Sequence, residues 1–198
     1  MTGVFVKTIV LGFSVASVVA GGCDLLQTRD PESPSGQSSS FEPATTPSIV
    51  ITNLQNAVQE KNKENYRRCL VDTSFSDKEF QFQPTAEAAA RYVSVFTGWS
   101  VTSEEEYFRN LSESRGGSVA RLDFFNQTTT TQSQDEVLFA AKYHLVFQHQ
   151  NSNLPQEARG NLQFYIARDQ RSTWSIYRWI DTRDTSQTTW SDFKATFR

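Results

Sequence analysis

The sequence predicts an α+β domain, with helices first and an antiparallel run of strands after them. Two patterns carry that prediction. Between Thr46 and Leu111, apolar residues recur at helical spacing behind capping residues. Between about 118 and 182 they alternate in strand-length segments separated by polar, turn-rich stretches. Helices followed by strands, rather than interleaved with them, is the α+β order. Composition sets the outer bounds. The chain has 198 residues, 37% hydrophobic and 21% charged, with a formal net charge of -3. Those values describe one large domain and exclude a long disordered protein, a coiled coil and a multi-span membrane protein. No excess of Lys and Arg exists to neutralise phosphates, so nucleic acid is not an expected partner.

The helices are justified in order. Thr46 before Pro47 is an N-cap with Pro at the first helical position. Ile51, Leu54 and Val58 then share one face of a helix running to about Lys61. A second short helix carries Tyr66, Cys69 and Leu70. Phe80 and Phe82 alternate with Gln81 and Gln83, which predicts a short strand before Pro84. Thr85 caps a third helix with Ala88, Tyr92, Val95 and Phe96 inward, ending near Gly98. Thr102 and Glu105 form a capping box, and Glu104 and Glu106 place negative charge at the positive end of that helix dipole. Tyr107, Phe108 and Leu111 face inward from it.

Four strands follow, at 118–126, 136–148, 159–168 and 173–182, with Asn126 to Asp135 and Gln150 to Gln156 as links. In the second, Val137, Phe139, Ala141, Tyr143, Leu145 and Phe147 share a face; in the third, Leu162, Phe164 and Ile166 do. In the fourth, strict alternation puts Trp174, Ile176 and Ile180 on one face and Tyr177 and Trp179 on the other. Apolar side chains on both faces require both to be at least partly covered. Trp190, Phe193 and Phe197 close the chain as a short amphipathic turn.

The N-terminus has a different character. Lys7 precedes an apolar stretch from Ile9 to Ala20, too short for a bilayer core of ~30 Å, which needs ~20 helical residues. It fits the apolar region of a secretory signal followed by small residues, Ala20, Gly21 and Gly22, with Cys23 directly after them. Val19-Ala20-Gly21-Gly22-Cys23 resembles the signal of bacterial lipoproteins, although Ala20 stands where that family usually has Leu. The resemblance implies cleavage of residues 1–22, a diacylglyceryl group on Cys23 and acylation of the new N-terminus. Two or more chains make such attachment stable, where one holds only marginally. Asp24 is similar to an inner-membrane retention signal in some members. Residues 23–45 then carry Pro31, Pro34 and Pro43 among many serines, with few large apolar side chains. Such a segment cannot offset its ordering entropy and is expected to be a disordered tether. About 20 flexible residues reach roughly 25 Å. Residues 46–198 hold all four Trp and form the folded domain.

The element order, together with the closing run Trp174-Ser175-Ile176-Tyr177-Arg178-Trp179-Ile180-Asp181 and Thr189-Trp190-Ser191-Asp192-Phe193-Lys194, is similar to the nuclear-transport-factor-2-like (NTF2-like, or cystatin-like) fold of small bacterial lipoproteins. That resemblance implies N-terminal helices packed in a strongly bent antiparallel sheet, a cone with a pocket. The superfamily contains isomerases, dehydratases, adaptors and secretion-system subunits, so fold does not select activity.

The residues themselves name no chemistry. His144 and His149 are five apart on a strand and point to opposite faces, so they cannot share one metal ion. Cys69, between Tyr66 and Leu70, reads as a small buried apolar residue. There is no Gly-x-Ser-x-Gly elbow, and Gly116-Gly117 reads as a turn rather than a phosphate loop. Acid–base chemistry would draw on Asp72, Asp77, Asp123, His144 or Asp181, beside Tyr66, Tyr92 or Tyr143, but no motif assigns a catalytic residue. Asp181, between Arg178 and Arg183, reads as a surface ion pair worth ~0–1 kcal/mol. The pocket candidates are aromatic: Phe80, Phe82, Tyr92, Phe96, Trp99, Phe108, Phe164 and Trp179, which either line a cavity or pack as core. The expectation is therefore a lipid-anchored protein of the cell envelope, on the extracytoplasmic side, with no metal or cofactor. Its non-catalytic domain would bind a small apolar ligand or an envelope protein. The alternatives are an isomerase- or dehydratase-type enzyme using a pocket Asp or His, and an assembly subunit of an envelope complex.

Overall fold

The computed structural model describes residues 39–114, 116, 119–151 and 153–198. The signal segment, Cys23 and the tether as far as residue 38 lie outside the described residues. Ser39 to Thr45, assigned above to the tether, lie against the domain. The Asn53 side chain accepts from the Glu42 N–H at 3.0 Å and donates back to the Glu42 carbonyl at 2.7 Å. The Trp174 N–H donates to the Ala44 carbonyl at 2.8 Å.

Helices α1 (Pro47–Gln59) and α2 (Lys63–Arg68) come first, then strand β1 (Gln81–Gln83), α3 (Ala86–Arg91) and α4 (Val101–Glu113). Strands β2 (Ala120–Ser133), β3 (Glu136–Phe147), β4 (Glu157–Arg168) and β5 (Trp174–Thr182) follow, and α5 (Trp190–Phe197) closes the chain. The α+β prediction holds. The sheet runs β1-β5-β4-β3-β2 and is open, with β1 and β2 at its edges. It is mixed rather than wholly antiparallel. Neighbours from β2 to β5 are antiparallel hairpin partners, but β1 lies parallel to β5, with Phe82 beside Trp179. A chain that passes through α3, α4 and three strands before it returns is free of the hairpin constraint, so a parallel pairing is accessible to it.

Five local expectations change. The third helix stops at Arg91 because Tyr92 leaves helical geometry, and Val95 and Phe96 sit on turns that include Ser94 and Gly98, both with positive φ. The fourth helix is capped by Ser100, whose side chain and that of Ser103 exchange backbone bonds; Thr102 and Glu105 are not the box. β2 runs on to Ser133, because its threonines, good strand formers, pair with β3 from Ala140 to Val137. In β5 the register slips: Tyr165 pairs with Arg178 and Ile166 with Ile176, leaving Tyr177 as the extra residue of a bulge. The bulge reverses the alternation, so Ile176, Trp179 and Asp181 are all buried. The closing turn is a full helix, α5, capped by a Thr189–Asp192 box.

Candidate functional site

Two helices each place one charged residue inside an apolar stripe. On α4 the inward positions are Glu104, Tyr107, Phe108 and Leu111, at i, i+3, i+4 and i+7. On α5 they are Trp190, Phe193, Lys194 and Phe197, with the same spacing. The two charges meet. The Lys194 ammonium donates to Glu104 Oε1, and each side chain has 0% solvent exposure. The carboxylate also accepts from the Tyr66 hydroxyl at 2.7 Å and from Trp99 Nε1 at 2.7 Å. Lys194 Nζ lies 3.6 Å from the centroid of Trp179 and 4.0 Å from that of Phe82.

Burial governs the electrostatics. Desolvation lowers the Lys194 pKa from 10.5 to about 8, against the pull of Glu104. The Tyr66 and Tyr107 hydroxyls are pushed up, first by burial and then by the neighbouring Glu104 charge. A buried ion pair loses much solvation energy and persists where hydrogen bonds and ring faces replace the water. Here two donors and two aromatic rings supply that replacement.

A second buried cluster fastens the start of α5. Asp181 Oδ1 accepts from the Tyr143 hydroxyl at 2.9 Å, and Oδ2 accepts from the Ser191 N–H and hydroxyl at 2.7 and 2.6 Å. The Tyr143 oxygen in turn accepts from the Trp190 N–H at 2.7 Å. Asp181 is 1% exposed, so it is not the surface ion pair read from Arg178 and Arg183. Burial raises its pKa, and its hydrogen bonds act in the opposite direction. Trp190 Nε1 donates to the Tyr107 hydroxyl at 2.9 Å and links the two clusters.

The aromatic candidates pack mainly against one another. Phe82, Phe96 and Trp99 lie with centroids 5.3 to 5.8 Å apart, and Phe82 meets Trp179 edge-on at 6.0 Å. Phe164 meets Trp179 edge-on at 4.8 Å, and Phe108 stacks on Tyr66 at 3.9 Å. Phe80 is buried just before β1, and Tyr92 caps the end of α3. Trp179, Phe164, Lys194, Glu104 and Trp190 are fully buried. Among the described residues, Trp179 Nε1 has no hydrogen-bond partner.

The remaining ionisable candidates sit elsewhere. Asp72 accepts from the Ser74 N–H, Asp123 pairs with Arg121 at 2.7 Å, and Asp77 is exposed. His144 lies 2.8 Å from Glu157. His149 Nε2 contacts the Pro155 carbonyl at 2.9 Å. The Cys69 thiol is buried, donates to the Asn65 carbonyl at 3.3 Å, and is pushed far above its ordinary pKa by desolvation, so it stays protonated. Among the described residues no group of three His, Cys, Asp or Glu could hold a metal ion, and no helix is long and apolar enough to cross a membrane.

Open space lies outside this interior. A groove of about 530 Å³ is lined by charges of both signs, among them Arg67, Arg68, Arg171, Glu64 and Asp169. Another, of about 370 Å³, lies between α1 and strands β2 to β4.

No protein-family model matches the sequence, and no curated protein matches it. Solved structures do. A provisionally named scytalone dehydratase from Novosphingobium aromaticivorans aligns over 68% of this chain and 78% of its own, at 9% identity and a TM-score of 0.52. A provisionally named dehydratase of the NTF2-like family from Streptomyces avermitilis aligns over 70% of this chain and 94% of its own, at 8% identity and a TM-score of 0.50. The domain has the NTF2-like fold. A provisionally named calcium/calmodulin-dependent protein kinase II association domain from Xanthomonas campestris aligns over 70% of this chain and 86% of its own, at 13% identity and a TM-score of 0.50. Two of these neighbours are named for an enzyme activity and one for association, so the likeness fixes the fold and leaves activity to the site.

Glu104 and Lys194 are what the sequence reading missed. The signal was present: each is the one charge in an otherwise apolar i, i+3, i+4, i+7 stripe.

Proposed function

We propose that this chain is a cell-envelope lipoprotein, held on the extracytoplasmic side of a bacterial membrane by lipid on Cys23. Its NTF2-like domain is a non-catalytic module that binds a small apolar ligand or a protein partner. One observation carries the non-catalytic reading: the Lys194–Glu104 pair and the Trp179 ring against it occupy the interior with no accessible surface, and the half-buried Phe82 and Phe96 pack over them. An acid or base must reach within hydrogen-bond distance of a substrate proton, and a side chain with no free surface has no such reach. The anchor is supported by the apolar stretch from Ile9 to Ala20 and the small residues before Cys23.

The enzyme reading rests on Asp181 beside Tyr143, a buried carboxyl with a raised pKa. Both of its oxygens are engaged, by Tyr143 and by Ser191 at the start of α5, which favours a structural role.

Mass spectrometry of the full chain extracted from membranes tests the proposal. A mature chain beginning at a lipid-bearing Cys23, with or without a co-purified neutral molecule, is the expected result. Full-length unmodified chain in the cytosol overturns it.

A further inference from the structure

The groove between α1 and the sheet is built by a specific backbone irregularity. In β2, Phe125 pairs with Lys142 and Thr128 with Ala140, so Asn126 and Gln127 together oppose one residue of β3. Asn126 takes a positive φ of 52°, a conformation Asn tolerates better than most residues. Before this bulge the even-numbered residues Ala120, Leu122 and Phe124 are the buried ones. After it the odd-numbered Gln127 and Thr129 line the groove beside α1, while Asn126 and Thr128 line a hollow with Lys142 and Gln163. Bulges re-aim side chains in this way, and they concentrate next to sites.

The groove it completes holds about 370 Å³, within the usual range for a small-molecule pocket. Ile51, Phe139 and Ile166 supply an apolar floor, and none of the described residues that line it is charged. Two of its polar residues are held in place by their amide nitrogens. Gln55 Nε2 donates to the Leu122 carbonyl at 2.9 Å, and Gln127 Nε2 to the Phe124 carbonyl at 3.2 Å. An amide fixed through its nitrogen offers its oxygen as an acceptor.

We infer that this groove, between α1 and the bulged arm of β2, is a binding site for a neutral, mainly apolar small molecule that carries a hydroxyl donor. The charge-free lining selects against ions, since a charge moved there loses solvation with nothing to replace it. The acceptor oxygens reward a hydroxyl. The inference rests on the reading of the domain as a small-ligand module and gives that module a site and a ligand class.

The test titrates the full chain with three fluorescent probes: naphthol, naphthalene and naphthalenesulfonate. Naphthol is expected to bind saturably, and the sulfonate at least tenfold more weakly. Thr52→Trp, at an exposed groove position of α1, is expected to weaken naphthol binding at least tenfold by filling the space. Gln127→Leu should reduce the preference for naphthol over naphthalene by about fivefold, the worth of one hydrogen bond. Saturable naphthol binding unchanged in Thr52→Trp overturns the site and leaves the apolar-ligand reading standing. Sulfonate binding as tight as naphthol overturns the ligand class. Absence of saturable binding for all three overturns both the site and the apolar-ligand arm of the proposed function.

Discussion

Lys194 and Glu104 form an ion pair with no accessible surface on either side chain, at the point where α4 and α5 face each other. The pair occupies the interior together with Trp179, Phe82 and Trp99. The domain thus spends its interior on holding helices together.

Breaking the pair on one side strands a charge in a dry environment. Lys194→Met is expected to destabilise the domain by about 3–5 kcal/mol. The double change Lys194→Met with Glu104→Gln should recover a large part of that loss, because neither charge is then left alone. Urea denaturation of the three proteins checks this. A double variant as weak as the single one would contradict it.

The pH dependence follows from the direction of the Lys194 shift. Its pKa falls from 10.5 unfolded to about 8 folded, so between those values the unfolded chain binds more protons. The contribution of this group to stability therefore rises with pH across that window, is complete above 10.5, and is lost as pH falls through about 8. Wild-type stability minus that of the double variant should climb between pH 8 and 10.5 in chemical denaturation. A flat or falling difference contradicts the assignment.

Asp181 shifts the opposite way for an acid. Its folded pKa is raised above 3.8, so its stabilising contribution is complete below that value and is lost as pH rises through the folded pKa. Asp181→Ala removes the acceptor for Tyr143 and for the first turn of α5, and is expected to cost about 3 kcal/mol. Thermal unfolding, with hydrogen exchange at the Ser191 amide, measures both effects. An unchanged melting temperature and unchanged exchange would contradict the anchoring role.

Gly160 tests the same cluster from the sheet side. A Cβ there would stand 2.8 Å from the Tyr143 hydroxyl oxygen and 2.8 Å from the Thr182 carbonyl. Gly160→Ala should cost about 1–3 kcal/mol, the usual range for overpacking, and displace Tyr143 from Asp181. A neutral effect in urea denaturation would mean that β4 and β5 separate more easily than the packing indicates.

The sequence made most of the helices and two of the long strands, β3 and β4, legible because their apolar residues keep one period from end to end, as Ile51, Leu54 and Val58 do on α1 and Val137 to Phe147 do on β3. It was illegible where the period breaks. The bulge at Tyr177 turns Trp179 inward against strict alternation, and the polar run from Asn126 to Ser133 reads as a link although it pairs with β3 along an exposed edge. The parallel partnership of β1 with β5 depends on where distant elements meet and leaves no local signature. Glu104 and Lys194 were passed over because a charge near a helix start or end already has a familiar explanation in the helix dipole. Only their place in the apolar stripe says otherwise.

Whether the interior is closed to small molecules can be read from Lys194. With a pKa near 8 its amine is neutral more often than an ordinary lysine's, so if a reagent reached it, it would react faster than its neighbours. Native full-length protein treated with acetic anhydride and mapped by peptide mass spectrometry gives the answer. Rapid acetylation is expected at the exposed Lys63 and Lys142, and none at Lys194 until the chain unfolds. Acetylation of Lys194 in the folded protein at the rate of Lys63 would show an interior open to substrates and contradict the non-catalytic reading.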